Sequence, residues 1–127
     1  MGEVKRTERG WAGHFCCSSR CLFRRNTLLE YENIKIVVST VGLMEDSINK
    51  DEEIKFEEIA PNKYYETMAF YSNLKDKQYY DADVSKEISF GSKRAIDSYV
   101  DKDNEANEMH ENVIKEIIEN LKRGLYK

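Results

Sequence analysis

The pattern of hydrophobic and polar positions along the chain changes once, from a period of two to a helical period. In the first part, residues 27–31 and 34–40 are two runs rich in apolar and β-branched side chains. Only Glu32 and Asn33 separate them, so we predict a β-hairpin with a two-residue turn in which Asn33 can take a positive φ.

Further strands follow in the middle of the chain. Residues 54–59 and 64–71 alternate between apolar and polar side chains, which is typical of half-buried strands. Residues 60–63 contain the only proline and predict the turn between them. Residues 79–88 also predict a strand, and residues 44–52 predict an acidic, polar connector.

The last quarter has helical spacing. Its apolar positions are Ala106, Met109, Val113, Ile114, Ile117, Ile118 and Leu121. Asp103 or Asn104 is the expected N-cap and Gly124 the expected C-cap of a helix of about five turns. One apolar stripe of this length has to cover a sheet. The predicted fold class is therefore α+β, an antiparallel β-sheet covered by a long C-terminal amphipathic helix.

Three polar residues of this helix bear on function. His110 falls near the middle of the apolar stripe, which favours a hydrogen-bonded core histidine over a ligand or a base. Asn104 lies in the first turn, where backbone amides favour anions and a carboxamide can contact a base or a ribose. Asn107 lies at the edge of the stripe. A cap role for Asn104 is the alternative.

Composition limits the class of protein. The 127 residues predict a single domain spanning 1–127, and neither a membrane span nor a signal peptide is apparent. We therefore expect a cytoplasmic protein. The three cysteines, Cys16, Cys17 and Cys21, are odd in number and fit a reducing compartment. With His14 they lack a second cluster that would complete a zinc site, so no metal and no cofactor is predicted.

Guanidinium groups and aromatic rings are concentrated near the N-terminus. Residues 1–26 hold six basic and two acidic residues, a net charge of +4, whereas the remainder has a net charge of −8. Arg24 and Arg25 offer planar forks for phosphate oxygens, and Trp11 offers a face for stacking. The acidic remainder would repel long nucleic acid, so a small anionic nucleotide is the favoured ligand. A basic surface loop whose aromatic residues fill the core is the alternative.

Motifs for catalysis are missing from the sequence. His14 and His110 do not begin the H-x-T/S pattern of paired-histidine phosphoesterases, and the chain has no nucleophile elbow and no phosphate-binding glycine loop. Asp81 and Asp83 could share a strand face and hold a divalent ion, although such a pair is more often a solvated turn. The residues favour binding over turnover, so we expect the protein not to be an enzyme.

Six short motifs in order resemble a known family. They are RGWAGHF at 9–15, CLFRRNTLL at 21–29, VVSTVG at 37–42, YYETMAF at 64–70, DADV at 81–84 and DNEANEMH at 103–110. Together they resemble small phage and prophage proteins, most closely the first-described family of Thoeris anti-defence proteins. The match runs from about residue 6 to residue 124, nearly the whole chain.

The resemblance implies a function. It implies that this nucleotide-binding domain sequesters cyclic ADP-ribose isomers, the second messengers of the bacterial Thoeris system, without cleaving them, inside a host cell infected by or carrying the phage. Family members are also associated with cyclic oligonucleotides at separate sites. The ligand-contacting aromatic and asparagine of the family are expected at Phe90 and Asn104.

The sequence also gives expectations about binding partners. Sheet edges and the need to enclose a ligand predict a homodimer or a larger homo-oligomer, with no membrane and no long nucleic acid as partners. Two alternatives stay open. One is a metal-dependent nucleotide phosphodiesterase that uses Asp81, Asp83 and His110, and the other is a phage protein-binding decoy without a nucleotide ligand.

Overall fold

A computed structural model describes residues 3–9, 21–45, 56–59, 61, 63–72 and 82–126 of the chain. Their elements, in order, are β1 (Lys5–Glu8), β2 (Cys21–Tyr31), β3 (Ile34–Glu45), β4 (Phe56–Glu57), β5 (Tyr65–Ser72), β6 (Ala82–Ile88), β7 (Ala95–Ile96) and α1 (Asp103–Lys122). The described strands form one antiparallel sheet in the order β1-β2-β3-β5-β6, with β4 paired to β3 and β7 to β5. The predicted α+β class, an antiparallel sheet with a C-terminal helix, is confirmed.

The hairpin of β2 and β3 forms where the pattern predicted it. Tyr31 pairs with Ile34, so Glu32 and Asn33 are the two turn residues. The positive φ, however, belongs to Glu32, at 55°, and the prediction for Asn33 is wrong. Glu32 therefore takes the left-handed backbone conformation that glycine adopts most readily.

The other strand predictions are confirmed within the described residues. β5 corresponds to the predicted run 64–71, β4 lies inside 54–59, and β6 lies inside 79–88. The Ile59 N–H donates to the Lys63 carbonyl at 2.8 Å, which closes the predicted turn. Residues 46–55 and 73–81 lie outside the described residues, and with them most of the predicted connector. β1 and β7 were not predicted, because four polar residues and two residues are too short to show a period.

The core lies between α1 and the sheet. Its main cluster joins one face of the helix to β2, β3, β5 and β6 through Leu29, Ile36, Val38, Ala69, Ile88, Val113, Ile114, Ile117 and Leu121. β3 is the central strand, and Val37 and Val41, which alternate with the helix-facing residues, are also fully buried. No helix in the described part of the chain combines the length and the apolar character needed to cross a membrane.

The two ends of α1 are built differently. The N-cap is Lys102 and no side chain caps the first turn, so the expectation of Asp103 or Asn104 as N-cap is wrong. Asp103 instead accepts a hydrogen bond from the Tyr65 hydroxyl at 2.6 Å. At the other end Gly124 has a φ of 72°, and the N–H groups of Gly124 and Leu125 bond back into the last turn. This arrangement is a Schellman motif, which confirms the predicted role of Gly124 in ending the helix.

Gly42 in β3 provides the space that Tyr65 occupies. The two residues are cross-strand partners, and a Cβ at Gly42 would lie 2.2 Å from Cδ2 of Tyr65. The Tyr65 ring also meets Phe23 edge to face, with ring centroids 5.4 Å apart. Tyr65, which binds the start of α1 through Asp103, therefore packs directly against Gly42.

We predict that Gly42→Ala destabilises the fold by about 1–3 kcal/mol, because the added methyl group overlaps the Tyr65 ring. The measurement is urea unfolding followed by circular dichroism. Gly91→Ala is the matched control, since its Cβ would make an ordinary 3.7 Å contact with Glu116, and it is expected to stay within about 0.5 kcal/mol of wild type. Equal stability of the two variants would contradict this account of Gly42.

Candidate functional site

The residues predicted to bind ligand are distributed over separate places. Arg25 and Asn107 lie together, with Arg25 Nη1 donating to Asn107 Oδ1 at 3.5 Å. Arg24 is next to Arg25 in β2 and therefore faces the opposite side of the sheet. Asn104 lies in the first turn of α1, whereas Phe90 precedes β7. Trp11 lies outside the described residues.

Arg25 belongs to a cluster of two guanidinium and two carboxylate groups. Its Nη2 lies 3.2 Å from Oε1 of Glu8 and 2.9 Å from Oε2 of Glu111. Arg6 binds the same two glutamates. The hydrogen bond from Arg6 lowers the pKa of Glu111 to about 2. The cluster is internally neutral, so a phosphate at Arg25 would have to compete with two carboxylates.

Glu8 links this charged cluster to the core, because it accepts a hydrogen bond from the buried Thr27. Burial acts to raise its pKa, but hydrogen bonds from Arg6 and Thr27 and the charge of Arg25 outweigh burial, so the net pKa is lowered. Glu8 is therefore ionised at neutral pH and can only accept hydrogen bonds. Thr27, whose hydroxyl donates to Glu8 Oε2 at 3.0 Å, is fully buried.

A chain of buried polar side chains continues from Thr27 into the protein. The Thr27 Oγ1 lies 2.8 Å from Nε2 of His110, and the His110 Nδ1 lies 2.6 Å from Oγ1 of Thr40. Thr40 is in turn 2.6 Å from the hydroxyl of Thr67. All four side chains are fully buried. The predicted core role of His110 is confirmed, and both of its ring nitrogens are engaged.

The ionised carboxylate of Glu8 determines which group donates in each hydrogen bond of this buried row of side chains. Because Thr27 donates its proton to the carboxylate, its oxygen must accept from His110, which places the imidazole proton on Nε2. The Nδ1 atom then accepts from Thr40, which itself accepts from Thr67. The imidazole is neutral, since burial first and the nearby Arg25 second lower the pKa of His110 from 6.5 to about 3.

Phe90 is occupied by contacts within the protein. Its ring packs against the main core cluster, and the guanidinium carbon of Arg94 lies 5.7 Å from the ring centroid. The segment after it is held to α1, because Glu116 accepts hydrogen bonds from the N–H groups of Gly91 and Ser92 at 2.7 and 2.9 Å. Glu116 is twelve residues along the helix from Asn104, about 18 Å. The structure does not bring Phe90 and Asn104 into one site.

Asn104 instead lines a pocket at the start of α1. The pocket has a volume of about 320 Å³ and is lined by Leu43, Tyr99, Asp101, Lys102, Asp103 and Asn104. Tyr99 is 41% exposed, and its ring meets that of Tyr64 edge to face at 5.0 Å. No side chain caps the first turn of α1, to which the lining residues Asp103 and Asn104 belong. The pocket combines an aromatic ring, an ammonium group, a carboxamide and carboxylates.

Sequence reasoning missed the three threonines and the pocket residues Tyr99 and Lys102. The threonines share the helix-facing side of their strands with the apolar core positions, and a histidine in the apolar stripe needs such partners, so that signal was present. Tyr99 and Lys102 carry no pattern of their own. Among the described residues no group of three or more His, Cys, Asp and Glu side chains could hold a metal ion.

The buried histidine predicts a pH dependence of stability. Between about pH 3 and 6.5 the unfolded chain binds a proton that folded His110 does not, so the free energy of unfolding falls as the pH is lowered through this window. We expect a loss of up to about 1.4 kcal/mol per pH unit between pH 6.5 and 4.5. His110→Gln should flatten the dependence of the unfolding free energy on pH. The control variant His14→Gln should keep this dependence. If the dependence disappears in the control alone, the assignment to His110 is wrong.

The hydrogen-bond direction predicts one histidine tautomer. In a long-range ¹⁵N–¹H correlation spectrum at pH 7, the His110 Nε2 should show the shift of a protonated nitrogen and Nδ1 that of an unprotonated one. The pattern should persist to pH 5, below the ordinary histidine pKa. The opposite tautomer, or a charged ring at pH 5, would mean that Glu8 does not set the direction of the hydrogen bonds around His110.

Comparison with known proteins matched the chain to no family model, no curated sequence and no solved structure.

Proposed function

We propose that the protein binds and sequesters a cyclic nucleotide second messenger, a cyclic ADP-ribose isomer, without cleaving it. The observation that carries the proposal is the pocket at the start of α1, which Asn104 lines together with Tyr99 and Lys102. The family resemblance of the sequence implies the same class of ligand and the same asparagine. Neither Arg25 nor Phe90 borders this pocket.

Each part of such a ligand has a matching group in the pocket. The Tyr99 ring offers a face for the base, and stacking of this kind contributes about 1–3 kcal/mol per base. Asn104 can both donate to and accept from a base or ribose edge. The carboxylate of Asp101 suits ribose hydroxyls, which donate hydrogen bonds.

In this proposal the phosphates of the ligand bind on one side of the pocket. Lys102 and the uncapped N–H groups of the first helical turn are the groups there that favour an anion. The side chain of Lys102 lies 3.3 Å from Glu105, an exposed partner that a pyrophosphate could replace. The carboxylates Asp101 and Asp103 would repel phosphate from the remaining walls, so the ligand would bind in one orientation.

The chemistry of the described residues favours binding over turnover. His110 is the residue that a phosphodiesterase mechanism would need, but it is buried and both its nitrogens are hydrogen-bonded to threonines. Asp81, its suggested partner, lies outside the described residues. A sequestering protein has to hold its ligand below the signalling concentration, and nanomolar binding corresponds to about 12 kcal/mol. Stacking, charge and exclusion of water have to act together to reach that value.

The proposal is tested by adding cyclic ADP-ribose isomers and measuring the thermal unfolding of the protein. Ligand at 100 times its dissociation constant should stabilise the fold by about 2.7 kcal/mol. Heat denaturation of the complex should then release intact ligand, as identified by liquid chromatography. Release of a converted ligand would favour the phosphodiesterase alternative, and no shift with any isomer would favour a protein-binding decoy.

We predict that Asn104→Asp removes binding without removing stability. Asn104 makes no side-chain cap, and a carboxylate in the first turn is favourable to the helix, so the fold should tolerate it. A carboxylate cannot donate a hydrogen bond and adds negative charge beside the phosphate, so calorimetry should show at least about a tenfold loss of affinity.

Asn112→Asp is the matched control, because Asn112 is exposed on the same helix and lines a different groove. It should bind like wild type. Wild-type affinity in Asn104→Asp would remove the pocket from the site. Equal losses in both variants would show that added charge, and not the position of Asn104, weakens binding.

A further inference from the structure

We propose that Leu43 contacts the ligand in the pocket at the start of α1, where its side chain and the ring of Tyr99 cover the flat base of the nucleotide. The inference rests on the proposed function, because it assigns one contact to the same ligand. Among the described lining residues Leu43 alone comes from a strand, since the others lie between Tyr99 and Asn104 along the chain.

Leu43 has a left-handed backbone conformation inside β3, with a φ of 55°. Among the described residues only two other non-glycine residues have a positive φ, Glu32 at 55° and Asp101 at 51°. Aspartate enters this region more readily, because its short polar side chain can form local hydrogen bonds, whereas a bulky leucine is disfavoured there. Leu43 and Asp101 line the same pocket. Strained residues of this kind concentrate at ligand-binding sites, where the surrounding structure enforces them.

Strand pairing around Leu43 enforces this backbone conformation without explaining the leucine. β2 pairs with β3 in the same register before and after Leu43, so the left-handed residue does not compensate for an inserted residue, as it would in a β-bulge. On the other side the neighbour of β3 changes at this point from β5 to β4, and the Leu43 N–H donates to the Tyr64 carbonyl at 3.2 Å. A glycine or an asparagine would adopt the same φ at a lower cost. The reason for a leucine therefore lies in its side chain.

The Leu43 side chain is half-buried, because it packs against a core cluster and also lines the pocket. The cluster consists of Tyr65, Ile96, Ala106 and Met109. Tyr64 packs against the same cluster, and its ring meets that of Tyr99 edge to face at 5.0 Å. Leu43 and Tyr99 thus belong to one apolar wall, whereas the lining residues 101–104 are polar or charged. A base that lies on this wall loses water from its face, and its edge can bond to Asn104.

The first test detects the contact directly in the wild-type protein, saturated with the cyclic ADP-ribose isomer that gives the largest thermal shift. With ¹³C-labelled leucine methyl groups, assigned through the backbone, the Leu43 methyl protons should show nuclear Overhauser effects to the base protons of the ligand. Leu22 and Leu125 are the internal controls, because they are 59% and 57% exposed and do not line the pocket, and they should show none. Absence of the effect at Leu43 would overturn the proposal.

The second test is the affinity of Leu43→Asn for the same isomer, measured by calorimetry. Asparagine has a similar size and adopts a positive φ readily, but it removes the apolar contact, so the dissociation constant should rise at least about tenfold. The midpoint of thermal unfolding of the ligand-free variant should stay within about 5 °C of wild type, because relief of backbone strain offsets part of the lost packing.

Two control variants separate a ligand contact from strain and from packing. Glu32→Asn changes a residue with the same φ in the hairpin turn, roughly 35 Å along the strand from Leu43, and should bind like wild type. Ile96→Val removes packing from the same core cluster at a residue that does not line the pocket. It should lower the unfolding midpoint and bind like wild type. Equal losses of affinity in Ile96→Val and Leu43→Asn would assign the effect to packing and overturn the proposal.

The outcomes distinguish this inference from the proposed function. If wild type binds no isomer, both are wrong. If wild type binds, Asn104→Asp does not bind and Leu43→Asn binds like wild type, the inference about Leu43 alone is wrong. If Leu43→Asn does not fold, the nuclear Overhauser effects in the wild-type complex decide.

Discussion

The fold depends on satisfying one buried imidazole between the helix and the sheet. His110 is the polar residue in the apolar stripe of α1, and an unpaired imidazole there would cost the free energy of its lost hydration. Thr27 and Thr40, on neighbouring strands, meet its two ring nitrogens. A shift of the helix by one turn would take both ring nitrogens of His110 away from these two hydroxyl groups, so the network favours one position of α1 on the sheet.

The same network explains why Arg6 and Arg25, two of the basic residues near the N-terminus, are less available to an anion than their charge indicates. Thr27 donates to Glu8, and Glu8 holds Arg6 and Arg25 together with Glu111. The Arg25 guanidinium, one of the two predicted to bind phosphate, is thus bound to the carboxylates at the end of a core hydrogen-bond chain. Removing Arg25 would change the surroundings of two carboxylates, which links any binding role of this arginine to stability.

The start of α1 is positioned by a second, independent contact. Tyr65 rests on Gly42 in the middle of the sheet and donates to Asp103 at the first turn of the helix. Burial first, and then the bond to Asp103, raise the pKa of the Tyr65 hydroxyl, so it remains a donor at neutral pH. Asp103, which lines the pocket around Asn104, is therefore bonded to a buried residue of the sheet, and a wall positioned in advance lowers the entropic cost of binding.

The sequence by itself determined the longer elements and the fold class, but not β1 and β7. Alternation in 64–71 and the helical period from Ala106 to Leu121 are local signals, and they predicted the strands, the helix and the burial of His110. Tertiary structure decided what each polar side chain does. Arg25 and Glu111 are far apart in sequence, and their pairing depends on how β2 and α1 pack, which no local period encodes. For the same reason the chain alone could not show that Phe90 and Asn104 lie apart, because only packing sets the distance between side chains on different elements.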